Sequence, residues 1–245
     1  MSTNGGQALR ALRAEGVTAG YGRRNGPRRG WADAPARPGG RLVLDGVSLD
    51  IPAGTTVGLT GPSGTGKSTL ARVLTGLLTP ESGQVTMDGV PLSIRRGRLG
   101  GDVLMIFQSP RRSCSPNQTL RQIVATPMTY PSSRVHTRDA SVRAAAVSDA
   151  CERVGLTDDL LDRLPGEVSL GQLQRAVLAG ALVARPRYLV CDEATAMLDA
   201  VTTAGVVDVL RAAAATGVGV LAISHDTDLL GAWADTVHDL RELGG

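Results

Sequence analysis

The sequence predicts an α/β fold with a mostly parallel sheet, and three observations carry that prediction. Short apolar segments rich in Val, Leu and Ile alternate with helical stretches, the pattern of buried strands joined by crossover helices. One strand runs directly into a glycine-rich turn and then a helix, within 55–77. Between 109 and 168 the pattern changes to Arg- and Ala-rich stretches such as RDASVRAAAVSDACERVG, which favour helix and are long enough for an inserted helical subdomain.

Taken in order, LVLDGVSLDI (42–51) and TTVGLT (55–60) read as strands separated by the turn residues PAG. A helix should open at Gly66–Lys67 and continue to about Leu77. GQVTMDG (83–89) has the form of a hairpin strand and supplies a small antiparallel β portion, while DVLMIFQ (102–108) reads as a buried strand. Strand signals return at YLVCDE (188–193) and GVGVLAISH (217–225), with the helical TTAGVVDVLRAAAA between them. Internal repeats are absent, and 245 residues suit a single domain, 1–245, that carries the helical insert at 109–168.

Composition bounds the function classes. Apolar residues make up 42% and charged residues 20%, which is ordinary for a globular protein, but aromatics are only 2%, so Val, Leu, Ile and Ala must build the core. The longest apolar run, AVLAGALVA (176–184), is far too short to span a bilayer. The N-terminus shows no hydrophobic signal segment, which predicts a cytoplasmic protein. Cys114, Cys151 and Cys191 form no CxxC pair and read as small buried or half-buried side chains rather than a disulfide framework or zinc site. The net charge of +3 is uneven, with eight arginines against Glu15 and Asp33 within 1–41. That excess lies in a basic Gly/Pro-rich stretch, 22–41, which reads as a solvated loop. Trp31 is its only aromatic after Tyr21, so no nucleic-acid partner is expected.

GPSGTGKS (61–68) satisfies the pattern GxxxxGK[ST] between a strand and a helix. Glycines let such a loop wrap closely, so that successive backbone N–H groups point at phosphate oxygens, and the helix N-terminus aims its partial positive charge at the same anion. Gly61, Pro62, Ser63, Gly64, Thr65, Gly66, Lys67, Ser68 and Thr69 are the expected phosphate-binding residues. Lys67 would reach the β- and γ-phosphates, and the Ser68 hydroxyl would ligate Mg²⁺. Lys67 is the only lysine among 26 basic residues. A compact ammonium fits inside a ring of amides where a planar guanidinium does not, so a chain that otherwise writes arginine keeps lysine here.

YLVCDE ends an apolar strand in two carboxylates. Asp192 at the strand end would hold Mg²⁺ opposite Ser68, and Glu193 would polarise the attacking water. About twenty residues upstream stands VSLGQLQRA (168–176). With this segment the chain resembles the ATP-binding subunit of ABC transporters, whose signature L-S-G-G-Q opens a helix. Ser169, Gly171, Gln172 and Arg175 fit that signature; Val168 replaces its Leu, and Leu170 replaces its first Gly.

The resemblance implies a P-loop NTPase (RecA-like) core and further site residues in the family's order. Tyr21 in VTAGYG matches the aromatic that stacks on adenine. Gln108 in MIFQSP matches the glutamine that reaches Mg²⁺ and the water, Asp199 in AMLDA matches the D-loop, and His225 in ISHD matches the histidine at the γ-phosphate. The resemblance thus names Glu193, His225 and Gln108 as catalytic, and Ser68, Gln108 and Asp192 as Mg²⁺ ligands. Tyr21, residues 61–69, Ser169, Gly171, Gln172 and Asp199 would bind ATP. In the family the signature residues face the ATP of a second subunit, so two such domains would pair head to tail, as a homodimer or heterodimer, with ATP between them.

Because no membrane span is present, the resemblance implies separate integral membrane permease subunits, a peripheral place on the cytoplasmic face of the membrane, and indirectly a solute-binding protein. FQSPRRSCSPNQTL (107–120) is similar to the F-Q-D-P-x-x-S-L-N-P-x-x-T stretch of peptide and nickel importer ATPases at Phe107, Gln108, Pro110, Ser113, Pro116 and Thr119. Ser109, Cys114 and Ser115 depart from it, and the chain stops about twenty residues after His225, short of that group's usual extension. Three readings of different classes follow. One is an ATPase subunit powering import of peptide, nickel or a metal chelate. Another is a soluble ABC-type ATPase, against which stand the single cassette and the lack of sustained heptads. The last is a non-hydrolysing nucleotide-binding regulator, which Leu170 leaves open and the intact Lys67, Asp192, Glu193 and His225 oppose.

Overall fold

The computed structural model describes residues 10–21, 41–92, 101–130, 133, 135–196 and 198–244. The expected basic loop, with Trp31, lies outside the described residues except at its end, residue 41. The chain first forms β1 (Ala11–Tyr21), β2 (Arg41–Pro52), β3 (Thr56–Thr60), α1 (Lys67–Leu74), β4 (Ser82–Met87), β5 (Val90–Pro91) and β6 (Val103–Ile106). The helices α2 (Pro110–Ser113), α3 (Leu120–Thr129), α4 (Ala140–Arg153) and α5 (Leu170–Val183) come next. After them stand β7 (Tyr188–Asp192), α6 (Ala200–Ala215), β8 (Gly219–Ile223), α7 (Thr227–Trp233) and β9 (Thr236–Asp239).

Two sheets result. The apolar strands β7 and β8 are buried along their whole length and β3 along all but its last residue, as strands covered on both faces must be. They lie in a five-stranded sheet of order β6-β7-β8-β3-β9, in which every neighbouring pair is parallel. The second sheet, β2-β1-β4-β5, is antiparallel throughout. An α/β core with a mostly parallel sheet and a small antiparallel portion is therefore what the chain adopts.

Register decides where the site falls. Leu59 stands level with Ile223, Ile223 with Asp192, and Ile106 with Cys191. The carboxyl ends of β3, β8, β7 and β6 thus finish along one edge, and the loops that follow them open from it, where ligands of open α/β sheets bind.

Helix α1 packs against β1 and β2 on one side and β6 and β7 on the other. Its Leu70, Ala71, Val73 and Leu74 are buried with Leu12, Ile51 and Val190, which welds the two sheets. A second apolar cluster lies among α3, α4, α5 and α6, where Leu120, Val124, Leu173 and Val206 pack with Leu189 of the parallel sheet. Helices α3, α4, α5, α6 and α7 begin at side-chain caps: Thr119, Asp139, Ser169, Asp199 and Asp226 each accept a backbone N–H of the first turn.

Several boundaries differ from expectation. Helix α1 stops at Leu74 rather than near Leu77, because the amides of Leu77 and Leu78 both return to the Arg72 carbonyl, at 2.8 and 3.0 Å. Strand β6 is limited to 103–106, which leaves Gln108 in a loop. Sequence reasoning passed over α7 and β9 and took from β1 only its last five residues, as the setting of Tyr21. The first two are too short for a periodic signal, and glycines interrupt the apolar alternation of β1.

Candidate functional site

Between β3 and α1 the chain turns through Gly61–Gly66. Gly66 is the N-cap of α1, with φ 110° and no side-chain cap, so the first amides of the helix keep their donors for a ligand. A Cβ there would stand 2.7 Å from Leu44 Cδ2, so glycine is required by both space and backbone. The Lys67 ammonium, on a residue only 7% exposed, donates to the carbonyls of Gly61 (2.7 Å) and Pro62 (2.9 Å). It curls back over the loop instead of reaching solvent. Thr65 Oγ1 donates to the Pro62 carbonyl at 2.9 Å and tightens the same turn. Pro62, Ser63 and Gly64 of the loop and Ser68 of α1 are exposed.

Tyr21 closes one flank. Its hydroxyl accepts from Arg72 Nη1 at 2.9 Å and shares a hydrogen bond with Thr69 Oγ1 at 3.3 Å, while the residue stays 38% exposed. On the other side Asp239, at the end of β9, borders Gly61, and the Arg241 side chain and amide bonded to it hold its carboxyl down at about 2.

Asp192 and Glu193 occupy the end of β7. Asp192 is buried, and burial raises its pKa above the ordinary carboxylate value; the Ser68 hydroxyl beside it opposes that, Glu193 adds to it, and Arg72 and Lys67 oppose it. Glu193 takes a left-handed backbone, φ 52°, uncommon for a residue with a Cβ. Its amide donates to the Ile223 carbonyl and its carbonyl accepts from Ala196, both at 3.0 Å, so neighbouring strands and turn hold the strained conformation. The two carboxylate oxygens face different partners. Oε2 accepts a short hydrogen bond from Gln108 Nε2, and Oε1 lies 3.9 Å from His225 Nδ1, too far for a hydrogen bond. His225 remains 70% exposed at its side chain, against 21% for Glu193.

The chain therefore brings Lys67, Ser68, Gln108, Asp192, Glu193 and His225 to one edge of the sheet. Ser169, Gly171, Gln172 and Asp199 gather elsewhere. Ser169 caps α5 and accepts from the Gln172 amide at 3.2 Å, while Gln172 Oε1 accepts from the Ser169 amide at 2.8 Å. Leu170 is the first helical residue and leaves this box intact. Asp199 caps α6, accepting from the amide (2.9 Å) and hydroxyl (2.7 Å) of Thr202. The Thr202 methyl lies 2.9 Å from where a Cβ on Gly171 would stand, so α5 and α6 meet at that glycine. Arg175 donates to the Gly155 carbonyl at 3.1 Å. Sequence reasoning missed Arg72 and Thr202, because their partners Tyr21 and Gly171 are adjacent only in space.

The donors at the sheet edge fit Mg²⁺. Among the described residues no group of three or more His, Cys, Asp and Glu converges, whereas a carboxylate, a hydroxyl and an amide oxygen are hard ligands. Mg²⁺ takes one or two such groups and completes its octahedron with water and phosphate. With Gln108 Nε2 committed to Glu193, its amide oxygen is the atom left for a cation. A divalent ion would also relieve the burial of the Asp192 charge. The cysteines sit apart from this chemistry: Cys151 and Cys191 are buried and Cys114 half-buried, and desolvation pushes their thiols up to about 11, 12 and 11 respectively.

Comparison with known proteins identifies the family and the fold. Residues 44–196 match the profile of the family described as ABC transporter. The chain is 38% identical over 195 residues to the nickel import ATP-binding protein NikE of Escherichia coli, covering 78% of this chain and 71% of that protein. The protein of the same name from Shigella dysenteriae matches to the same extent. Among solved structures, cbiO1 of Clostridium perfringens, part of the ABC transporter complex cbiONQ, superposes with a TM-score of 0.77 at 25% identity, over 95% of this chain and 85% of that one. A dimeric, post-hydrolysis state of the ATP-binding cassette MJ0796, bound to ADP and Pi, superposes with a TM-score of 0.77 at 23% identity, over 94% of each chain. Among the described residues no helix is long and apolar enough to cross a membrane.

Proposed function

The chain belongs to the ABC transporter family as an ATP-binding, ATP-hydrolysing import subunit, and on that premise we propose how its residues divide the work and what it helps to move. Tyr21 stacks on adenine, with its hydroxyl fixed by Arg72 and Thr69. Residues 61–69 wrap the phosphates, and Lys67 leaves the Gly61 and Pro62 carbonyls to take the β- and γ-phosphate oxygens. Ser68, Asp192 and the Gln108 amide oxygen hold Mg²⁺, which when bound neutralises charge on the phosphates. Glu193 accepts a proton from water as the water oxygen attacks the γ-phosphorus. The bond to the β-phosphate oxygen then breaks, giving ADP and inorganic phosphate. His225 steadies the γ-phosphate.

Ser169, Gly171, Gln172 and Asp199 stand in their own cluster because they complete the site of a second subunit, paired head to tail. Stretch 109–168 acts as a helical subdomain within the single domain. Its cleft of about 1010 Å³ between α3 and α4, lined by Arg121, Arg138 and Arg143, receives the permease on the cytoplasmic face of the membrane. The solute is nickel or a related small chelate, after the relative at 38% identity.

The observation that carries this reading is the position of Glu193, with one oxygen on Gln108 and the other towards His225. Turnover of Mg-ATP by the purified chain tests it: the wild type should hydrolyse ATP and Glu193→Gln should not. Equal rates would remove Glu193 from the mechanism. Co-expression with the permease subunits should give ATP-dependent nickel uptake into vesicles, and uptake of peptide alone would reassign the solute.

A further inference from the structure

Two segments meet in a way that the proposed chemistry does not use. The loop carrying Gln108 leads through Ser109 into α2, whose first residue, Pro110, is buried. The second residue of that helix, Arg111, extends its guanidinium to the turn that enters the signature helix α5. Nη1 donates to the Pro165 carbonyl at 2.8 Å and Nη2 to the Val168 carbonyl at 3.1 Å. Val168 is the residue immediately before Ser169, the cap of α5. A planar fork with two parallel donors suits this task, because it fixes two carbonyls of one turn at once.

The turn has little freedom elsewhere. Its upstream end is tied to the start of α3, with Leu120 N–H on the Arg163 carbonyl at 3.0 Å, Arg121 N–H on the Leu161 carbonyl at 2.8 Å, and an Arg121–Asp162 ion pair at 3.0 Å. Glu167 caps the Leu164 amide at 2.8 Å. Among the described residues, both hydrogen bonds that join segment 107–113 to segment 165–169 are Arg111's. A displacement at Gln108 therefore reaches Ser169 through three residues of backbone and one side chain.

We infer that Arg111 is a positioning residue that couples the two nucleotide sites of the dimer. The inference rests on the functional reading above, in which Gln108 serves the ATP bound by its own chain while Ser169 faces the ATP bound by the partner. A side chain that holds both makes closure of one site bias closure of the other. That is a coupling between sites, and its loss should change cooperativity more than it changes binding.

The test uses the full chain with Arg111→Met, which keeps apolar volume and removes all donors, Arg111→Lys, which keeps charge without the fork, and Arg112→Ala as a control for loss of a neighbouring charge. Steady-state hydrolysis against ATP concentration gives the Hill coefficient. Binding of a fluorescent ATP analogue at sub-dimerising protein concentration reports the folded single site. The wild type should turn over with a coefficient above one. Arg111→Met should fall to one, with a lower kcat and single-site affinity unchanged. Arg111→Lys should fail to restore the coefficient, and Arg112→Ala should behave as wild type. A wild-type coefficient of one, a cooperative Arg111→Met, or an Arg112→Ala that loses cooperativity equally would overturn the coupling role. Absence of any ATP turnover in the wild type would instead fell the functional reading, and this inference with it. A misfolded Arg111→Met would show as lost single-site binding, and the Lys variant then decides: restored cooperativity refutes the fork, and its loss with intact binding supports it.

Discussion

The Gln108 amide donates to Oε2 of Glu193, across 85 positions of sequence, and so turns the carboxylate's other oxygen towards His225. One hydrogen bond thereby sets the orientation of the group assigned to take a proton, and leaves the amide oxygen of Gln108 for a cation. Replacing Glu193 by Gln removes the base, and general-base contributions are typically worth about 10²–10⁴-fold in rate. Gln108→Ala keeps the base and loses both its orientation and one ligand for the cation. Its kcat should fall less than that of Glu193→Gln, with KM for ATP changing by less than kcat does. Steady-state ATP hydrolysis by the two variants checks this order; a Gln108→Ala loss as large as that of Glu193→Gln would mean that orienting the base and ligating the cation together weigh as much as the base itself.

Lys67 makes its two hydrogen bonds within the loop that it serves, to Gly61 and Pro62. At 7% exposure there is no room for a guanidinium, which is broader and rigidly planar. Lys67→Arg should therefore weaken Mg-ATP binding although charge is conserved. With a charged hydrogen bond worth about 1.5–3 kcal/mol, the expected loss is about 10- to 150-fold in Kd by titration calorimetry. Retention of wild-type affinity would show that the loop can open for the larger head.

Gly66 sits at the one loop position where both backbone and packing forbid a side chain. The φ of 110° disfavours any Cβ, and that Cβ would lie 2.7 Å from Leu44 and 3.0 Å from Val43 of β2. Overpacking costs about 1–3 kcal/mol and the strained backbone about as much again. Gly66→Ala should lower the Tm by about 4–24 °C at the usual 2–4 °C per kcal/mol for a chain of this length. Gly64→Ala, where no atom stands within 4 Å, should lose only the backbone share despite its φ of 82°. Thermal unfolding of the two variants separates packing from conformation.

The contrast between these residues and others explains what the sequence could disclose. Lys67, Asp192 and Glu193 sit in motifs where strand, turn and helix are contiguous, so the roles proposed for them could be read from spacing along the chain. The fold class was legible for the same reason, since β3, β7 and β8 are short, mostly apolar segments buried on both faces. Most of β1 was not, because register shifts between Ala14 and Gly20 break its alternation. Arg111 carried no signal at all: its carbonyl partners lie 54 and 57 positions away, and carbonyls have no residue identity to read. Contacts to backbone across long sequence separations are where pattern reasoning stops.

Asp192 offers a prediction in which stability and function point in opposite directions. Burial raises its pKa in the folded chain, with Ser68, Arg72 and Lys67 opposing but not cancelling it. A carboxyl whose folded pKa lies above its unfolded value favours the fold in its protonated form. That contribution is complete below the unfolded pKa and is lost as pH rises through the folded one, so at neutral pH the ionised Asp192 costs stability. Asp192→Asn should accordingly raise the Tm of the nucleotide-free chain at pH 7, by about 2–4 °C if the relief is about 1 kcal/mol. The gain should shrink as pH falls towards the unfolded carboxylate pKa, where Asp192 binds a proton in both states. Mg-ATP should reverse the ranking, because a ligand that binds only the folded state stabilises in proportion to its affinity. The wild type should then gain Tm on adding Mg-ATP while Asp192→Asn gains little. An Asn variant less stable than wild type without nucleotide would mean that Ser68 and Lys67 hold the carboxylate ionised as a structural group, and that the strand end is built for its own hydrogen bonds rather than for a cation.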